Sequence, residues 1–442
     1  MTQKTQGEGM KKISLIAAIA LASSSLGAAS LEEAIKGVQV DGSAFIRHIS
    51  NTGADDGGSD YIMRLVLDLS TGNKSGFNFG GGLFYHYGGT PTFGTRSDGA
   101  VDGSRSSRSA GISGGNVFGV STLWAQYGWE AANTTITGGK LKLATPISSA
   151  TTDRGVGALA TSNPVDEITI ALGWFDSWSA DNQYIGGIWT SGNNGLGASA
   201  SMGNNLSLIG VNGNYDNFAF KAWYFNIGNM ANSLFGEFNI GKEYSFTAQV
   251  AYTDVYNSAT LALGGGLLGA NLGTNDVVGK EISSSRGLYT LQVATKPTDW
   301  LLARAGFVGS FGSGYGVALN NTASFNIAGK WWYDNFGNGR NGFSWNGQGG
   351  IENTHINLWY LAGKASVSIV DIGLDIAGIS GKNQFAISQG NNGQSESDKT
   401  FYEITPSVDI NIAKGAKLSA YYAMVFGQVD AQRFWAQVSY KF

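Results

Sequence analysis

There is no cysteine in these 442 residues, and only 5 are proline. Without thiols, neither disulfides nor thiolate metal sites are available. Charge is scarce as well, at 14% against roughly 25% in typical soluble domains. The formal net charge of −4 is mildly acidic, which argues against a nucleic-acid partner, since that favours a basic patch. After Ser30 there is no run of 18 apolar residues, so transmembrane helices are excluded from the rest of the chain. His48, His86 and His355 are the only histidines. They are far apart, and none sits in a motif where a base is held against a nucleophile. The expectation is therefore a protein that is not an enzyme. The glycine-rich "GGGLFYHYGG" has no helix behind it to cradle a phosphate.

What is abundant is glycine (66 residues) and aromatic side chains (12%). At the front, "MKKISLIAAIALASSSLGAAS" (10–30) has a basic start, a short apolar run and then small residues, the pattern of a secretory signal peptide. Residues 1–29 read as this leader, with extra residues before Met10, and 30–442 as one domain. At the other end, "QRFWAQVSYKF" alternates. Phe434, Ala436, Val438, Tyr440 and Phe442 fall on one side, with Arg433, Gln437, Ser439 and Lys441 on the other. The same period of two recurs along the chain. "YIMRLVLDLS" sets Tyr61, Met63, Leu65, Leu67 and Leu69 against Arg64, Asp68 and Ser70. "YEITPSVDI" sets Tyr402, Ile404, Pro406, Val408 and Ile410 against Glu403, Thr405, Ser407 and Asp409.

The alternation predicts strands near 38–49, 61–70, 77–87, 117–130, 134–143, 154–162, 167–177, 205–214, 218–226, 232–240, 244–254, 284–295, 300–310, 354–362, 365–378, 400–412, 416–427 and 432–442. Most reach the 9–11 residues that a tilted strand needs to cross a bilayer. Their connections alternate in length. "TGNKSG", "AAN", "NPVD", "YDN", "GKE", "KPTD", "GK" and "AKG" are tight turns, whereas 88–116, 178–204, 255–283, 311–353 and 379–399 are long and rich in Gly, Asn and Ser. Short turns on one side and long loops on the other are the arrangement of an all-β transmembrane barrel of about 18 antiparallel strands, closed so that every backbone group pairs within the sheet. Trp129, Tyr215, Phe218, Tyr244, Trp300, Phe401 and Tyr440 cluster at strand ends, as interfacial girdles do. The expected location is the outer membrane of a Gram-negative cell, in contact with lipid and lipopolysaccharide.

"LEEAIKGVQVDG" (31–42), "GGKLKLATP" (138–146), "TTDRGVGA" (151–158), "NPVDEITIALGWFDS" (163–177) and the terminal "SYKF" resemble the major outer-membrane porins of the Campylobacter type, distant relatives of the OprD family. The resemblance implies a trimer of 18-stranded barrels, each with a water-filled pore constricted by the third outside loop. It also implies cation preference and wide solute tolerance.

A diffusion pore selects by diameter and by the charge lining its narrowest part. Parity places Arg47, Arg64, Lys140, Lys142, Lys221, Arg286 and Arg433 on the lumen side, together with Asp68, Glu237, Asp371, Asp375, Glu403 and Asp409. Arg304 stays ambiguous, because both faces of "WLLARAGFV" are apolar. The inward loop is expected at 144–153, stiffened by Pro146. Asp153 is expected to face the wall cations around Lys140 and set up a transverse field, and Arg154 to begin the next strand. "ADDGGSD" (54–60) has carboxylates suited to calcium but no EF-hand spacing, so no cofactor is expected. Three readings of function stand: a general diffusion porin for ions and small hydrophilic solutes, a substrate-specific channel, and a surface adhesin with a plugged lumen. In the last, Trp189, Trp331, Trp332, Tyr333 and Trp345 serve as lids or adhesive tips.

Overall fold

The computed structural model describes residues 37–53, 58–72, 76–88, 92–93, 116–179, 204–256, 283–319, 323–332, 343, 345, 348–382 and 398–442. The leader, residues 54–57 of the acidic stretch, Trp189 and Tyr333 lie outside them. Eighteen antiparallel strands form the wall: β1 (Gln39–Gly53), β2 (Gly58–Ser70), β3 (Phe77–Gly88), β4 (Asn116–Trp129), β5 (Thr134–Lys142), β6 (Arg154–Val165), β7 (Ile168–Ser179), β8 (Leu206–Asn214) and β9 (Phe218–Ile227), then β10 (Ala231–Ile240), β11 (Tyr244–Val255), β12 (Ser285–Thr298), β13 (Leu301–Gly312), β14 (His355–Val367), β15 (Val370–Lys382), β16 (Lys399–Ala413), β17 (Ala416–Gly427) and β18 (Ala431–Lys441). A two-residue strand, Thr92–Phe93, pairs with the start of β2. Each wall strand bonds its sequence neighbours, and β1 pairs with β18 from Ser43↔Lys441 to Gly53↔Ala431. Phe442 and Gly42 exchange both backbone hydrogen bonds (2.9 and 3.1 Å). The sheet therefore closes, as a spanning sheet must when lipid offers no partner for an open edge.

Alternation sorts the residues as the sequence predicts. Ile46, Val438 and Tyr402 face outward and are exposed, while Arg47, Gln437 and Glu403 face inward. Trp129, Tyr215, Phe218, Tyr244, Trp300 and Tyr440 are exposed at the strand ends. Phe401 is not: it shares the parity of Glu403, is 0% exposed, and meets Trp331 edge-on inside the barrel. The hairpin expected at Gly363–Lys364 also moves. Its turn is Ser368–Ile369, closed by the pair Val367↔Val370, with Ser368 at φ 55°. Gly-Lys has turn composition, but the alternation runs straight through it, and Lys364 lies in the lumen bonded to Asp371 at 2.6 Å. Pairing with β13 and β15 outweighs the local preference.

The buried apolar cluster lies inside the barrel, between wall and loops. Leu141, Ile147, Phe175, Leu288, Trp332 and Ile356 are among its members.

Candidate functional site: the lumen and its two inner loops

The third outer loop, 143–153, folds inward as expected. Its supports differ from the sequence reading. Asp153 is 1% exposed and faces its own loop. One carboxylate oxygen accepts from the Ser149 backbone N–H (2.8 Å) and the other from the Thr152 hydroxyl (3.1 Å). A side chain that closes a turn in this way is an Asx-type cap. The transverse field assigned to Asp153 is therefore not seen. Asp153→Asn keeps a capping oxygen, so single-channel ion preference should match wild type. Asp153→Ala removes the cap and should make the open-channel current noisier.

Lys140 is also misplaced by the sequence reading. It pairs with Leu123 and Val156, both on the outward face, and its Nζ donates to the Val120 carbonyl at 2.8 Å. The intervening Gly138–Gly139 carry no side chains, so the sequence offers no marker of which face is which. Arg154 is 2% exposed and does not line an open pore. It donates to Ser121 O (3.0 Å) and Oγ (2.8 Å), and to the loop carbonyls of Ala150, Thr151 and Asp153. Lys142 does reach the lumen, bonding Asp68 at 2.8 Å. Asp41, Asp68, Thr122, Trp124, Gln126 and Lys142 are among the residues lining a cavity of about 420 Å³ there.

A second inner element went unseen in the sequence. The seventh outer loop connects β13 to β14, and its described residues, 313–319, 323–332, 343, 345 and 348–354, pack inside the barrel. Tyr315, Val317, Ala318, Trp331 and Trp332 are buried. It docks on the third loop through Leu319 N–H to Ile147 O (2.8 Å) and Ser324 N–H to Pro146 O (3.1 Å). Pro146 is thus an acceptor for the neighbouring loop. Trp331, Trp332 and Trp345 are buried, so they are not exposed adhesive tips.

Several expected pore charges hold this loop to the wall. Arg286, 0% exposed, donates to Gly316 O (3.3 Å) and Trp345 O (2.6 Å). Asp375 accepts the Gly329 N–H (3.0 Å). Glu403 accepts three consecutive backbone N–H groups, from Lys330 (2.5 Å), Trp331 (3.0 Å) and Trp332 (2.8 Å). Gln249, absent from the sequence-based set, donates to Ser324 O and accepts from Asn326 N–H, both at 2.8 Å. The available signal was the doubly apolar character of strands such as β13. An inward face bearing Leu288, Val308, Ile356 and Leu358, all buried, requires something apolar inside the barrel to cover it. Lys330 is exposed on the loop and was also missed.

The remaining charges stay on the wall. Lys221 bonds Glu237 (2.8 Å), and Lys417 bonds Asp409 (2.9 Å). Asp409 is the cross-strand neighbour of Asp371, so two lysines offset two facing carboxylates. Arg47 donates to Gln437 through Nε (3.0 Å) and Nη2 (2.7 Å) and lies over the rings of Phe45 and Trp435. Arg64 covers the same Phe45, and Arg433 donates to Asn51 at 2.8 Å. These three arginines form one basic sector on β18, β1 and β2. Arg304 points inward, on the row of Ala294 and Ala362, with Gln292 at 3.5 Å. Among the described residues, no group of three or more metal-ligating side chains converges.

A closed antiparallel barrel with an apolar outside, charged pairs along the inside and two loops folded into the lumen is an outer-membrane channel for small solutes, a porin. The sequence matches the Campylobacter major outer membrane protein family over residues 9–435, and the chain belongs to that family. Family and fold point to transport and not to an enzyme.

Similar folds occur among solved structures. Pseudomonas aeruginosa OccK8 (OprE) superposes with a TM-score of 0.61 at 12% identity, covering 92% of this chain and 98% of that one. OprD of the same organism gives 0.55 at 12%, covering 92% and 95%. Pseudomonas aeruginosa OpdK, solved with vanillate, gives 0.59 at 10%, covering 92% and 99%. At these identities the likeness speaks for the fold alone. A search of curated proteins returned no match.

Proposed function

We propose that the channel serves general diffusion of ions and small hydrophilic solutes, narrowed where the third and seventh outer loops meet, and that it works as a homotrimer embedded among lipopolysaccharide. The carrying observation is the docking of these loops on each other through Leu319 and Ile147. Two inward loops joined by backbone hydrogen bonds make a fixed diameter, and diameter with lining charge is what selects in such pores. Lysines and carboxylates along the lumen wall are mostly paired, which suits ions of either sign better than one solute. Purified protein in a planar bilayer should give stable ohmic steps in groups of three. The reversal potential under a salt gradient gives the preferred sign. Absence of steps at high protein loading would overturn the channel reading.

The apolar packing around the seventh loop favours a second reading, a substrate-specific channel, which would show as current blocked by one solute class at low concentration. Residues 1–29 act as an export leader in this proposal. Mass spectrometry of the outer-membrane form should find them removed.

A further inference from the structure

We infer that Glu403 is the latch that fixes the seventh loop across the lumen, and so sets the size limit of the pore. This rests on the reading that the third and seventh loops make the narrowest section. Glu403 projects from β16 between Phe401 and Thr405 and is 0% exposed. Among the described residues it forms no ion pair. Its acceptor capacity goes instead to four donors. One oxygen takes the Lys330 and Trp331 N–H groups and the Thr405 hydroxyl (2.6 Å), and the other takes the Trp332 N–H. All four neighbours donate, and both carboxyl oxygens serve as acceptors.

The three N–H groups come from consecutive residues and converge on one carboxylate, the arrangement of a backbone nest that seats an anion. The turn is shaped for it. Gly329 adopts φ 94°, and a Cβ there would run into the Trp332 indole, which donates to Ala328 O (2.6 Å). The barrel wall could have filled this position with an apolar residue, as at its neighbours Ala377 and Phe401. Only the loop makes a buried carboxylate tolerable here, and only the carboxylate satisfies the loop's donors. Asp375 adds one bond, to Gly329, and Trp331 meets Phe401 edge-on, so Glu403 gathers more of the backbone donors at this end of the loop than any other described wall residue. Loss of Glu403 should therefore free the segment around 329–332 while leaving the wall strands paired.

The test is Glu403→Gln in planar bilayers and in liposome swelling. The glutamine amide sets donors against donors at one oxygen position, so unitary conductance should rise roughly twofold, a scale expected of a wider constriction. Transitions between levels should become frequent, and larger solutes should enter. The heat-induced gel shift that reports barrel unfolding should stay at the wild-type temperature. Lys330→Pro removes one donor without touching the carboxylate and should act likewise. Lys330→Gln keeps the donor and should preserve the size limit while shifting only ion preference.

The latch is overturned if Glu403→Gln and Lys330→Pro both keep wild-type conductance, noise and size limit. It is also overturned if conductance changes only in step with a falling unfolding temperature, since that marks a purely structural role. Should Glu403→Gln fail to fold, Lys330→Pro decides alone. Failure of the wild type itself to conduct would instead sink the pore reading.

Discussion

Replacing Arg154 by alanine should lower the unfolding midpoint of the barrel and open the third loop together. β5 stops at Lys142, and its last pairing with β4 is Leu123↔Lys140. β4 runs on to Asn116, so its far half has no partner in β5, and a spanning sheet does not tolerate open carbonyls. Two cations fill that place. Lys140 caps Val120 O and Arg154 caps Ser121 O, while the rest of the guanidinium binds three loop carbonyls. Alanine would leave the buried Ser121 carbonyl without its guanidinium donor, at about 1–3 kcal/mol, while Asp153 O keeps the Leu143 N–H and the carbonyls of the exposed Ala150 and Thr151 lose only their tie to the wall. Arg154→Lys should recover only part, because one ammonium does not reproduce a planar fork that serves strand and loop at once. Urea unfolding in detergent measures the first effect and open-channel noise the second. An unchanged midpoint for Arg154→Ala would remove Arg154 from this role.

The second large effect tests the solvent on each face of the wall. Ile46 lies at the middle of β1, exposed at 58%, between Met63 and Val438. Ile46→Arg puts a guanidinium into hydrocarbon near the midplane, which costs about 2–4 kcal/mol in such barrels. Ser43→Arg places the same group on the lumen side of the same strand, where Arg47 already resides, and should cost little. Folding yield into lipid vesicles should fall sharply for the first variant and hold for the second. Equal yields would mean that the outward face is not in lipid.

Both variants show how far one-dimensional reading reaches. Alternation marks the two faces wherever side chains of contrasting kind occupy both, as in β2, β16 and β18, and there the lumen residues Arg64, Glu403 and Arg433 were legible. It fails across the Gly138–Gly139 pair before Lys140, where no side chain marks the face. It also misleads at Gly363–Lys364, where turn-forming residues sit inside a strand held by two neighbours. Asp153 was placed in an inward loop and Arg154 at the start of the next strand, but a charge that caps its own turn looks the same in sequence as one that faces a pore. The seventh loop was the largest omission. Its tryptophans were read as lids or adhesive tips, because nothing local states that a long connection returns inside the wall.

The sequence by itself determined the strand number, the closure of β1 on β18 and which face meets lipid, whereas the inward course of the third loop came from the family resemblance. The first three follow from a period of two under a solvent that accepts no unpaired backbone group, and they need only local information. The tertiary structure alone decided what the lumen charges do. Arg286, Asp375 and Glu403 bind backbone groups of a loop 30 to 73 residues away, and Arg154 reaches a strand 33 residues away; the partner of a buried charge is set by where the chain returns, which no nearby residue encodes.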